Sequence, residues 1–234
     1  MIIFAGVHQQ RHYRRSYADA MHRPGDGDAM YRRSDVKTSQ KTVLWRYKMQ
    51  YTETFKEIRS QSGYPYNIFL VGFMGTGKTT LSGFLKKHTG IEELDMDSTI
   101  EKQQGMTISK IFEEKGEPYF RSLETKLLVE LQSKSGLLVS CGGGVVLREE
   151  NVAEMKKSGL VVLLTAKSET ILERVKNNDD RPLLRGNKNV PFIENLLNQR
   201  MPKYMAAADL IVETDGRKKE DIAEELCRKL LERL

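Results

Sequence analysis

The stretch Ile68-Phe69-Leu70-Val71-Gly72-Phe73-Met74-Gly75-Thr76-Gly77-Lys78-Thr79 decides how the rest of the chain reads. Its four opening apolar residues make a short strand of the kind buried inside a parallel sheet. Residues 72–79 match the pattern GxxxxGK followed by Ser or Thr, and 78–88 reads as a helix. That strand–loop–helix order is the context that gives the pattern its meaning. The glycines let the backbone curl so that successive N–H groups face phosphate oxygens, and the helix opening near Lys78 adds its positive end. Lys78 is placed to reach the β- and γ-phosphates of a nucleotide, and the Thr79 hydroxyl to ligate Mg2+. The motif establishes nucleotide-phosphate binding and leaves the second substrate open.

Outward from this motif the chain alternates strands and helices. Strand candidates lie at 92–94, 137–141, 160–164 and 209–212. Helical segments read at 99–103, 108–115, 117–133, 149–157, 169–176 and 190–207, the last mostly helical around Pro202. Within the helical segment 117–133, Leu123, Leu127, Leu128 and Leu131 recur at spacings of three and four, and the final helix carries Ile222, Leu226, Leu230 and Leu234 four apart. Such alternation predicts an α/β fold, a P-loop NTPase with a central parallel sheet of about five strands and helices on both faces, in three layers α/β/α. No internal repeat is visible.

Several clusters point to the acceptor side. Asp95 and Asp97 follow the second strand, and residues two apart in an extended segment point the same way, here at the carboxyl end of the sheet. One carboxylate suits Mg2+ and its water, the other the proton of an attacking hydroxyl. The competing reading is capping, with Asp97 or Ser98 opening the helix at 99–103. Arg121 and Glu124 share a helix face; by themselves they read as a surface ion pair of little worth. Gly142, Gly143 and Gly144 directly after a strand permit a close backbone approach to a ligand. Arg181 follows the polar run 177–180, as an arginine on a water-excluding lid would, and Arg200 and Tyr204 stand four apart on the next helix.

Composition limits the alternatives. Hydrophobic residues make up 39% of the 234, and no apolar run approaches the roughly 20 residues that span a bilayer. Met1–Val7 is too short for a secretory h-region with a basic leader. Cys141 and Cys227, far apart, make neither a disulfide framework nor a metal site, and a cytoplasmic location is the expectation; Cys141 reads as a buried structural thiol. The net charge of +6 sits entirely in residues 1–66, which hold 12 basic and 6 acidic residues, whereas 67–234 hold 26 of each. The catalytic part thus lacks the basic signature of nucleic-acid binding. Residues 1–66 read as a poorly ordered extension with turn chemistry at 24–28 and one short helix at 52–60; a targeting peptide, against which few Ser and Asp19, Asp26 and Asp28 argue, a basic arm, and an upstream segment before a start at Met49 compete, the last favoured.

Together and in this order, the loop at 72–79, Asp95 and Asp97, Arg121 and Glu124, the triple glycine, Arg181, Arg200 and Tyr204 resemble the shikimate kinase family over essentially all of 67–234. The resemblance implies a nucleoside-monophosphate-kinase-like fold with a mobile lid at about 177–190. It also implies transfer of the γ-phosphoryl group of ATP to the 3-hydroxyl of shikimate, on the route to chorismate and the aromatic amino acids. By resemblance Asp97 is the base, with Lys78 and Arg181 completing the catalytic set. Gly75, Thr76, Gly77, Lys78, Thr79 and Thr80 would hold ATP with Arg174, Arg181 and Arg217, Arg181 as the lid arginine on the transferring phosphoryl and Arg174 and Arg217 on the adenine side. Thr79 and Asp95 would hold Mg2+, and Asp97, Arg121, Gly142, Gly143, Gly144 and Arg200 would bind shikimate. Glu124 would orient Arg121. The partners implied are small molecules acting on a monomer, without nucleic acid or membrane. Many relatives carry Pro near Lys219, which this chain lacks. Two other readings stand beside it: a related sugar-acid kinase such as gluconate kinase, and an ATP-binding module whose basic tail engages RNA or a partner.

Overall fold

The structure, a computed structural model, describes residue 53, residues 66–176 and residues 189–233. The helix expected at 52–60, the lid with Arg181, and Leu234 therefore lie outside the described residues, apart from Glu53 and the last two positions of the lid range. In chain order the elements are β1 (Asn67–Val71), α1 (Lys78–Thr89), β2 (Glu92–Asp95), α2 (Met96–Gln104), α3 (Ile108–Leu131) and β3 (Leu137–Ser140). A 3-10 turn (Val145–Leu147), α4 (Glu149–Ser158), β4 (Gly159–Thr165), α5 (Ser168–Val175), α6 (Val190–Ala207), β5 (Leu210–Glu213) and α7 (Lys219–Arg233) complete it.

The strands lie in the order β2-β3-β1-β4-β5, and every neighbouring pair is parallel. β1 is central, with Phe69 level with Val139 on one side and Val161 on the other. Successive strand residues point to opposite faces, so a strand covered on both sides needs apolar residues at every position. β1 does this: Phe69 and Val71 join the core that includes Met96, Ile111, Leu128 and Met155, while Ile68 and Leu70 join Leu81, Leu85, Leu226 and Leu230 on the other face. One face is thus packed by α1 and α7, and the other by helices including α3 and α4.

That division creates the site. The chain leaves β1 toward the α1 face and leaves β3 toward the α4 face, although the two strands are neighbours. Connections that diverge from adjacent strands open a crevice at their carboxyl ends, where open α/β sheets take their ligands.

Two local features bear on it. α3 is continuous except at Gly116, whose φ of 78° and ψ of 167° are not helical, so the expected break between 108–115 and 117–133 is present. Glycine adopts that conformation without the steric cost a side chain would add, and Pro118 stands in the first turn beyond it, where a missing N–H costs little. The second feature is a correction. Asp97 does not continue an extended segment: α2 begins at Met96, and Asp95, not Asp97 or Ser98, is its N-cap, its Oδ1 accepting from Ser98 N at 3.0 Å. A β-strand that runs directly into a helix leaves room for no two-residue alternation. Asp95 and Asp97 are instead split between a cap and a first turn.

Candidate active site

The loop between β1 and α1 is held by its own side chains. Gly77, at φ 96°, turns the backbone into α1. Lys78 is buried, and its Nζ donates to the carbonyls of Gly72 at 2.9 Å and Phe73 at 3.1 Å. Thr76, also buried, spends both its N–H and its hydroxyl on the Phe73 carbonyl. Its hydroxyl therefore helps shape the loop. Arg174 braces the outside, donating from Nη1 to Gly75 O at 3.1 Å and from Nη2 to Thr214 O at 2.9 Å. Thr79 and Thr80 are exposed at the start of α1.

Beside the loop three oxygens converge. Thr79 Oγ1 donates to Asp95 Oδ2 at 3.1 Å and lies 3.1 Å from Ser140 Oγ at the end of β3. Hydroxyl and carboxylate oxygens are the hard donors Mg2+ prefers, and it takes few of them from protein when phosphates supply the rest. Among the described residues no cluster of three or more His, Cys, Asp or Glu offers a self-sufficient cage. The donor set thus fits a magnesium ion shared with a nucleotide. Ser140 was not legible as part of this set; its only signal was its place in the strand end before the glycines.

On the acceptor side, Arg121 and Glu124 are not a surface pair. Glu124 is fully buried and Arg121 is 7% exposed, with Nη1 donating to Glu124 Oε2 at 2.8 Å. Nε and Nη2 of Arg121 both donate to Glu117 Oε1, at 3.0 and 2.7 Å. Burial works against the Arg121 charge, but Glu124 and Glu117 outweigh it and hold the guanidinium pKa above its ordinary value. Burial pushes Glu124 up to about 7; Arg121 and, more weakly, Arg148 oppose the shift, and the nearby Asp97 charge adds to it. Glu124 Oε1 has no hydrogen-bond partner.

The triple glycine makes room for these groups. A Cβ on Gly142 would stand 2.7 Å from Glu124 Oε1 and 2.9 Å from Asp97 Oδ1. One on Gly144 would stand 2.4 Å from Arg121 Nη1. Gly143 lies along the phosphate loop, its Cβ position 3.4 Å from Met74 N. The close approach expected of a ligand is thus made in part by the chain's own Asp97, Arg121 and Glu124, gathered around one turn.

From α6, Tyr204 is buried and its hydroxyl donates to the Gly143 carbonyl. Burial pushes the Tyr204 hydroxyl up to about 12, with Arg200 opposing. Arg200 lies 5.7 Å over the Phe73 ring of the phosphate loop, and its buried Nη1 lacks a partner. Asp97, Arg121, Gly142–Gly144 and Arg200 are therefore brought to one place. Arg217 stands elsewhere, on the carbonyls of Glu213 and Asp221 and paired with Glu225. Cys141 is buried, and burial raises its thiol well above its ordinary range, as suits an inert structural group.

A phosphate loop after the central strand of a 2-3-1-4-5 parallel sheet, facing a pocket of acid and arginine side chains, defines a small P-loop kinase. Residues 74–231 match the family described as Shikimate kinase. The chain is 41% identical over 162 residues to the shikimate kinase of Thermodesulfovibrio yellowstonii, covering 69% of this chain and 93% of the relative. It is 44% identical over 149 residues to that of Caldicellulosiruptor bescii, covering 64% and 86%. Among solved structures, shikimate kinase from Acinetobacter baumannii in complex with shikimate superposes with a TM-score of 0.70 at 36% identity, over 75% of this chain and 98% of that one. The chain belongs to the shikimate kinase family.

Proposed function

We propose that residues 67–234 transfer the γ-phosphoryl group of ATP to the 3-hydroxyl of shikimate, giving shikimate 3-phosphate and ADP. One observation carries the reading: two buried polar atoms, Glu124 Oε1 and Arg200 Nη1, lack partners at the same pocket that holds Asp97 and Arg121. Buried polar groups are normally satisfied, so an unsatisfied pair in a crevice is matched to a polar ligand. A carboxylate would take the arginine donors, and a ring hydroxyl would reach the acids. The structure solved with shikimate shares the fold at 36% sequence identity.

In this reading the phosphate loop and Lys78 hold ATP, and Thr79, Asp95 and Ser140 would hold its magnesium ion. The ion supplies charge neutralisation across the phosphates. Arg121 and Arg200 hold the shikimate carboxylate. Asp97 accepts the proton of the attacking 3-hydroxyl as its oxygen bonds to the γ-phosphorus and ADP leaves. Arg181, outside the described residues, is assigned to the transferring phosphoryl by the family resemblance. Alignment and charge compensation then supply most of the rate.

We further infer a cytoplasmic monomer acting on small molecules, with 1–66 as an extension outside the catalytic unit. The neutral charge balance of 67–234 supports the small-molecule partners, and among the described residues no helix is long and apolar enough to cross a membrane. The test is ADP release from ATP and Mg2+ with and without shikimate, with gluconate as control acceptor. Strong stimulation by shikimate alone is expected. Equal release without an acceptor, or release only with gluconate, would remove the assignment of Arg121, Gly143 and Arg200.

A further inference from the structure

Asn151, in the first turns of α4, touches none of the residues expected to meet a substrate, yet it is fully buried and uses both ends of its amide. Its Nδ2 donates to Val145 O at 2.9 Å, and its Oδ1 accepts from Thr125 Oγ1 at 2.7 Å. The reverse amide orientation would set an oxygen against the Val145 carbonyl. Thr125 stands one turn beyond Arg121 on α3, its Oγ1 3.1 Å from Arg121 O. A hydroxyl carries a single hydrogen, and the shorter contact to Asn151 claims it.

The two ends of this relay are the two walls around the Arg121 guanidinium. Val145 directly follows Gly144, whose Cα lies so close to Arg121 that a Cβ would stand 2.4 Å from Nη1. Thr125 and Arg121 belong to the same helix as Glu124, the other partner of that guanidinium. Tyr204 fixes the same turn from α6 through Gly143 O. Among the described residues, side chains from α4 and α6 thus pin the glycine turn at two carbonyls, one on each side of Gly144, and of these the Asn151 pin reaches α3.

We propose that Asn151 is a positioning residue for the acceptor. Through Val145 O and Thr125 it sets the separation between the glycine turn and α3, and so the placement of the Arg121 guanidinium that meets an acceptor carboxylate. The inference rests on the kinase reading above.

The test is steady-state kinetics of the full chain with shikimate and ATP varied separately. Asn151→Leu keeps the approximate size and removes both hydrogen bonds. KM for shikimate is expected to rise about tenfold, the cost of one or two buried hydrogen bonds. KM for ATP should stay within about twofold, because the phosphate loop is braced independently by Lys78, Thr76 and Arg174. Thr125→Val should raise the shikimate KM in the same direction and Thr125→Ser should restore it. The double variant should be no worse than Asn151→Leu alone, since the two act in series. If Asn151→Leu does not fold, the Thr125 pair carries the test. Equal change in both KM values, or a fall in melting temperature with both unchanged, would overturn the proposal by making Asn151 merely structural. A wild-type chain without shikimate-dependent turnover would instead overturn the kinase reading, so the two failures are distinguishable.

Discussion

At the scale of single residues, the acceptor pocket sets three charged groups against one another, and each predicts a different measurable signature. Asp97 is partly exposed in the first turn of α2 and close to Gly142 and Glu124. Asp97→Asn keeps the shape and removes the proton acceptor, so turnover should fall by about 10²–10⁴ while ATP affinity is nearly unchanged, as measured by nucleotide titration. Arg121→Ala should instead raise KM for shikimate far more than KM for ATP. Glu124 yields a pH effect whose sign is fixed. Burial raises its folded pKa from 4.5 to about 7, so the folded chain keeps a proton that the unfolded chain releases in between. Its contribution is therefore most favourable below the unfolded value, declines as pH rises toward 7, and is constant above that. Denaturant unfolding of wild type and Glu124→Gln across this range should show a falling component in wild type that the variant lacks. Parallel pH profiles would remove Glu124 as its source. Of these residues Asp97, Arg121 and Arg200 were legible in the sequence because their types and order follow a family pattern. The burial of Glu124, the role of Ser140 beside Thr79 and the relay through Asn151 were not. Each depends on contacts between residues far apart in the chain, such as Thr79 with Ser140, which no local periodicity records.

Elements were legible where their period was long and their neighbours punctuated them. β1, α1, the break in α3 at Gly116 and the long α6 came through because apolar spacing and glycine position speak locally. The start of α2 did not, because Asp95 serves both as the last residue of β2 and as the helix cap, and sequence alone offered Asp97 and Ser98 the same part. The meaning of the triple glycine was also only half visible. Its neighbours are the chain's own Asp97, Glu124 and Arg121, so its reason is space more than backbone freedom. Gly144→Ala tests this at the level of the turn. Its Cβ would overlap the Arg121 guanidinium, at 2.4 Å from Nη1 and 2.5 Å from Cζ. The guanidinium sits at the end of a flexible side chain and can move aside, so folding should survive. Arg121 would then leave its place between Glu124 and the turn, and KM for shikimate should rise by about tenfold or more with ATP binding preserved, comparable to loss of a charged hydrogen bond. Unchanged kinetics in a folded Gly144→Ala protein would mean that the Arg121 position does not govern acceptor binding.

For the whole molecule, charge divides the sequence into two parts. Residues 67–234 supply both faces of the sheet, the phosphate loop and the acceptor pocket, and carry equal numbers of acidic and basic residues. The excess of six positive charges belongs to residues 1–66. A basic arm that recruited a polyanionic substrate would make turnover depend steeply on salt, because each released counterion weakens binding. In the proposed reading shikimate and ATP need no such arm, since their charges would be met inside the crevice by Lys78, Arg121 and Arg200. Removing residues 1–48, so that the chain begins at Met49, should therefore leave kcat and both KM values within about twofold, the scatter expected of changes remote from a site. The same truncation should leave intact the stabilisation by ligand, about 2.7 kcal/mol when shikimate is present at about 100 times its dissociation constant. Thermal unfolding with and without shikimate, run on both lengths of chain, measures this directly. Equal shifts on both lengths would place binding wholly in 49–234, whereas a shift lost with the first 48 residues would make them part of the acceptor site.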